Sequence, residues 1–353
     1  SYLIDDDVAW AGLGKSVAVL GLALAIVVLY FQPKIEQSVI CNKKIVALVS
    51  ALCLVILVVA YLPSIAQFSG GITDLFASST VFNELLMPVT GITPLGNFAS
   101  QYTSMLGWPL LALKGFSPEV IMNGVLVWLF VLTLFQIMVI AGIGKSIFGK
   151  IPYPLILLYS SSLILMKGEK QNEIAGSIVG SFFSIPSRTF FPSVLVLILI
   201  NALFENKRKQ VYQIVLGALL PITALNNLEF GVPAVIAIMI VFLAFYRLQH
   251  VDRKAIVIIF GAAVATFGII ALAFLLRSAP LDLELWSAIA RSVGSGGYVN
   301  VPMPIIGTYL LVFAILSSGI VIGLKSVSST TNPNVMKSSA IAIFAGAWGV
   351  MSM

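Results

Sequence analysis

A chain of 353 residues with 59% hydrophobic residues, 10% charged residues and a mean hydropathy of +1.06 carries more apolar surface than a soluble fold can bury. An average soluble domain is about 25% charged. The solvent for most of the chain is therefore lipid, which excludes the soluble classes and makes the fold an all-α integral membrane protein, a polytopic helical bundle. The net charge of +6 is spread through short loops, a pattern that marks membrane orientation and excludes a nucleic-acid face.

A spanning helix needs about 20 mostly apolar residues. That template predicts about ten transmembrane helices, at 14–33, 44–63, 120–142, 151–167, 189–204, 210–226, 230–247, 255–276, 303–324 and 338–353, in a single transmembrane domain over 1–353. Cys41 and Cys53, the only cysteines, fall in a basic loop and an apolar helix, so neither a disulfide nor a metal site is expected. His250 sits in RLQHVDRK and reads as a solvated loop residue. The start at Ser1, with no signal segment, and the end inside an apolar run predict a piece of a longer chain.

Placing the loops after the odd-numbered helices in the cytoplasm collects thirteen of the 20 Lys and Arg residues there, including the KRK run at Lys207, Arg208 and Lys209, against three acids, Glu36, Glu205 and Asp252. Multi-pass insertion in the plasma membrane with 64–108, 168–188, 226–230 and 277–302 outside follows. The cytoplasmic loops carry no P-loop and no dinucleotide fingerprint, so no cofactor is expected and any chemistry belongs outside. No internal repeat is evident.

The 64–108 stretch is the longest that cannot cross a bilayer and reads as an extracytoplasmic interfacial loop. It holds two acids, Asp74 in GGITDLFASS and Glu84 in VFNELLMP. Each is a candidate general base beside the membrane; the alternative is an acid that favours a helix N-terminal dipole. In TPLGNFASQYTSMLGW, helical spacing predicts that Asn97 and Gln101 share one face while Phe98, Tyr102 and Met105 share another. An amide stripe beside aromatics suits a sugar ring, and equally an amphipathic helix anchored at headgroups.

Arg188, between Pro186 and Pro192, is placed to clamp a lipid phosphate or to snorkel. In PITALNNLEFGVPA the sixth and seventh helices join with almost no loop, which puts Asn226, Asn227 and Glu229 at the membrane boundary, where a carboxylate is by default a functional candidate. Asp282, Glu284 and Arg291 accompany a short amphipathic helix in the last outer loop. Asp5, Asp6 and Asp7 resemble a metal site on paper, but three consecutive acids do not face one way on a helix, so no metal is expected.

The segments GNFASQYTSMLGWPL, PSRTFFP and NNLEFGVPA, with long outer loops and many spans, resemble the GT-C superfamily of polytopic glycosyltransferases that use polyprenyl-phosphate sugars. The resemblance covers about 60–240. It implies a transferase moving a sugar from a polyprenyl-phosphate-linked donor to a cell-envelope glycan acceptor, with Asp74 or Glu84 as catalytic base. Arg188 would then hold the donor phosphate, and Asn97, Gln101, Tyr102, Asn226, Asn227 and Glu229 would contact substrate. The chain departs from the family in having its long loop after the second visible helix, isolated acids and no soluble outer domain. If a helix precedes Ser1, the catalytic acids fall instead at 5–7. A transporter or flippase for lipid-linked glycans or small solutes, and a non-catalytic scaffold of an envelope-synthesis complex, are the rival expectations. Membrane lipids are partners in every case, and nucleic acid in none.

Overall fold

The computed structural model of the chain describes residues 83–98, 104–148, 186–205, 207–277, 279, 284–288 and 308–351. The chain divides into two compact units, and all these residues belong to the one formed by Phe76–Gly149 and Phe183–Met353. The described helices are α1 (Asn83–Thr90), α2 (Pro118–Phe148), α3 (Pro186–Phe204), α4 (Lys209–Asn226), α5 (Leu228–Arg247), α6 (Arg253–Leu276), α7 (Thr308–Ser329) and α8 (Pro333–Met351), with a further helical stretch at 284–288. A 3₁₀ turn covers Trp108–Leu113, and no strand occurs among the described residues. Helices α2 to α8 fall on seven of the expected spans. The expected spans 14–33, 44–63 and 151–167 lie outside the described residues.

Four helical stretches are long and apolar enough to cross a membrane: Pro118–Ile147, Leu228–Arg247, Arg253–Leu276 and Leu310–Ser329. Their outer faces are bare hydrocarbon. Along α6, Phe260 is 70% and Leu276 78% exposed, an arrangement suited to lipid. The inward faces close on one core, where Leu195, Leu199, Leu216, Ala237, Val241, Phe245, Ala340 and Ile343 are buried together from α3, α4, α5 and α8.

Small residues set how closely these helices approach. A Cβ on Gly231 would overlap the Thr223 carbonyl oxygen, so α4 and α5 touch backbone to backbone across the one-residue joint at Asn227. A Cβ on Gly217 would overlap the Ile259 carbonyl, which brings α6 equally close to α4. This close contact of backbones is how helices pack where lipid supplies no hydrophobic drive between them.

Helix starts depart from expectation where local chemistry extends them. α8 begins at Pro333, five residues early, because Pro needs no N–H partner at the first helical position and Asn332 Oδ1 accepts from Asn334 N at 3.0 Å. α3 begins at Pro186, so the Pro186–Pro192 bracket around Arg188 is the first turn and a half of a helix instead of a loop. His250, expected in solvent, lays its ring against Phe245 at 5.9 Å.

The order of the helices sorts the ends. Lys145, Lys207, Lys209, Arg247, Arg253, Lys254, Lys325 and Lys337 all fall at one end, where Lys337 Nζ donates to Ser146 O at 3.1 Å. At the opposite end lie α1, the 3₁₀ turn, the α4–α5 joint and the α6 C-terminus, and every described tryptophan except mid-helix Trp128 sits there or at the adjoining end of α8. Trp128 itself reaches this end through its indole.

Candidate functional site

The end opposite the basic one is built by irregular backbone, and irregular backbone next to hydrocarbon must have its polar groups satisfied from within. Asn226, the last residue of α4, does most of this for residues 104–106. Its carbonyl accepts from Ser104 N at 3.0 Å, and its Oδ1 accepts from both Met105 N and Leu106 N at 3.1 Å. Trp128 Nε1 on α2 donates to Leu106 O at 2.8 Å. The next residue, Gly107, lies so close under α1 that a Cβ there would overlap the Leu85 carbonyl oxygen.

Residues 93–98 form a tight turn. Leu95 N donates to Phe98 O at 2.9 Å, and Asn97 Oδ1 accepts from Thr93 N at 2.8 Å. Leu95 is held at φ 62, a left-handed conformation disfavoured for a branched side chain by roughly 1–2 kcal/mol. The surroundings enforce it: Leu95 is buried with Leu225 and Phe274, and Trp286 Nε1 donates to its carbonyl at 2.7 Å. Met105, Trp108 and Leu228 pack on the same small cluster.

Arg277 closes this assembly. It caps the C-terminus of α6, where a cation favours the helix dipole, and it is half-buried. Its Nε donates to Thr93 Oγ1 at 3.0 Å and its Nη2 to Pro88 O at 3.2 Å. The guanidinium lies 5.1 Å from the Trp108 ring centroid, and that ring stacks on Phe274 at 6.1 Å. The cation is thus fixed in position by three separate segments. Two of its nitrogens, Nε and Nη2, carry these bonds, and the planar guanidinium offers five N–H donors in all.

The expected site residues divide as follows. Asn226 and Asn227 are each 2% exposed and spend their Oδ1 atoms on backbone N–H groups, Asn227 as the N-cap of α5 accepting from Phe230 N at 2.9 Å. Asn97 is exposed and lies in the 93–98 turn, not on a helix as its spacing suggested; Pro94 and Gly96 break the helix, and the Asn97 side chain closes the turn. Glu84 is 5% exposed in the first turn of α1, where a carboxylate favours the dipole. Glu229 is half-buried in the first turn of α5, and its Oε2 is buried with no partner among the described residues, as is Thr223 Oγ1. Glu284 falls in a helical stretch at 284–288. Asp5, Asp6, Asp7, Asp74, Gln101, Tyr102, Asp282 and Arg291 lie outside the described residues, as does the Arg188 side chain.

The structure thus gathers Asn97, Asn226, Asn227 and Glu229 at one end and adds Arg277, Thr93 and Trp108 to them. An arginine one position beyond an apolar helix reads in sequence as a snorkelling residue, and its partners lie 184 and 189 residues away, so the sequence carries no local signal for the cradle. No group of three or more His, Cys, Asp or Glu that would hold a metal occurs among the described residues. Comparison with protein-family models, curated proteins and solved structures returns no match to the chain.

Proposed function

We propose that the chain is a multi-pass protein of the plasma membrane, with about ten spans, that acts at its aromatic end as a GT-C-like glycosyltransferase. It takes a sugar from a polyprenyl-phosphate-linked donor to a cell-envelope glycan. The observation that carries this reading is Arg277, a cation held on Trp108 and hydrogen-bonded to Thr93 and Pro88 at the end of a long apolar helix. A phosphate on a lipid chain lying along α6 meets such a group at headgroup depth, and guanidinium geometry suits its paired oxygens.

In this reading Arg277 joins Arg188 in holding the donor phosphate. Glu229, half-buried in the first turn of α5, receives a sugar hydroxyl through its accessible part, and Asn97 Nδ2 is a further donor at the rim. Asn226 and Asn227 act through the backbone they hold. Asp74 or Glu84 deprotonates the acceptor hydroxyl as it attacks the anomeric carbon, and the donor's C–O bond breaks with its electron pair leaving on the lipid phosphate.

The test is binding of a polyprenyl phosphate to the full chain in nanodiscs, with R277Q beside wild type. A loss of affinity of about tenfold or more in R277Q, and none for the unphosphorylated polyprenol, supports the reading. Equal affinity of the two proteins for the phosphate removes it. Movement of the bound lipid to the other leaflet, with no transfer to a glycan, would assign the chain to the carriers instead.

A further inference from the structure

The opposite end of the bundle holds a cavity that the proposed reaction does not use. Its volume is about 680 Å³, and Lys209, Arg247 and Arg253 line it together with Tyr246, Gln249 and His250. Three helix ends meet there: the start of α4, the end of α5 and the start of α6.

The turn that shapes the cavity is built, not loose. His250 N donates to Phe245 O at 2.8 Å and Gln249 N to Tyr246 O at 3.0 Å, the paired bonds of a Schellman cap, with the His250 ring on Phe245 as its apolar contact. Gln249 takes the left-handed position at φ 61 where glycine is the usual residue. The cap therefore fixes the backbone between Arg247 and Arg253. Arg253 is held further by Nε donating to Tyr246 Oη at 3.2 Å.

The one carboxylate lining the cavity, Asp252, also serves a helix end. Its Oδ1 accepts from Ala255 N at 2.8 Å as the N-cap of α6. Three basic side chains thus line one concavity beside a single acid that also serves a helix end, and Tyr246 Oη and the Gln249 amide add neutral hydrogen-bonding groups. Cations needed only to set orientation have no reason to converge on one concavity; Lys325 and Lys337, at the same end, do not line it.

We infer that this cavity binds a phosphate-bearing anion, the headgroup of an anionic lipid of the adjoining leaflet or a soluble phosphate compound. The two sources share their chemistry and differ in what else is bound.

Native mass spectrometry of the full chain released from micelles of equal phosphatidylglycerol and phosphatidylcholine tests the inference, with K209Q/R247Q/R253Q, R247Q alone and K325Q/K337Q as variants. At about fivefold per cation, the triple variant retains roughly 100-fold less phosphatidylglycerol than wild type, R247Q about fivefold less, and K325Q/K337Q as much as wild type. That result assigns a lipid headgroup. Absence of lipid preference, with inorganic phosphate raising the melting temperature of wild type and R247Q retaining less of that rise, assigns a soluble phosphate. The inference is overturned if neither ligand depends on the three cations, or if K325Q/K337Q loses as much binding as the triple variant, which would show a diffuse field. R247Q, the mildest change, decides the matter should the triple variant not fold.

Discussion

Asn226→Ala removes the oxygen that accepts from Met105 N and Leu106 N while leaving the helix it terminates intact. The bond from Leu106 N is buried and that from Met105 N partly so, with Leu106 itself 3% exposed. A buried donor left without a partner costs about 1–3 kcal/mol, so two cost roughly 2–6 kcal/mol, with water entry drawing the figure toward the lower half. The penalty falls on opening of residues 104–108, because the rest of α4 keeps its own bonds. Hydrogen exchange in nanodiscs reads this directly: protection at Met105 and Leu106 falls by about 100-fold for a loss near 3 kcal/mol. The Arg277–Trp108 contact loosens with it, since Trp108 follows the segment that Asn226 holds. Asn226→Asp, which keeps an oxygen at the accepting position, retains most of the protection. Unchanged exchange at both amides in Asn226→Ala would refute the reasoning, for it would mean that other groups hold this backbone.

Gly231→Ala forces α4 and α5 apart, because the methyl overlaps the Thr223 carbonyl, whereas Gly261→Ala meets nothing within 4 Å; thermal unfolding in detergent separates a clear loss from no loss or a small gain. Gln249→Gly relieves the left-handed strain at φ 61 and raises stability by roughly 0.5–1 kcal/mol; a lower unfolding midpoint would contradict the strain assigned there. Trp348→Phe removes the indole donor to Phe230 O at 2.9 Å and costs about 1 kcal/mol, seen as faster exchange in the first turn of α5.

The long helices among the described residues were legible in the sequence wherever an apolar run is long enough to need lipid. For α2 and α6 no competing structure exists, and the one-residue joint between α4 and α5 followed from the lack of any loop between two such runs. What was not legible depends on residues far apart in the chain. The Asn226 and Asn227 side chains look like ligand-binding amides when read alone, and only the fold shows that backbone N–H groups from 104–106 and from α5 claim their oxygens. Asn97 reads as helical in sequence because periodicity is blind to Pro94 and Gly96 acting together to close a turn. Arg277 has no local mark at all. Its meaning comes from Thr93, Pro88 and Trp108, which α6 meets only after the bundle has formed.

Transfer from a lipid-linked donor requires the aromatic end to hold a lipid phosphate. The most direct measurement is a structure of the full chain in nanodiscs with a polyprenyl phosphate added. The account predicts phosphate density within hydrogen-bonding distance of Arg277, its lipid tail along the exposed face of α6. An empty Arg277 cradle, with the lipid bound elsewhere or a water-filled path running through the bundle to the basic end, would contradict it.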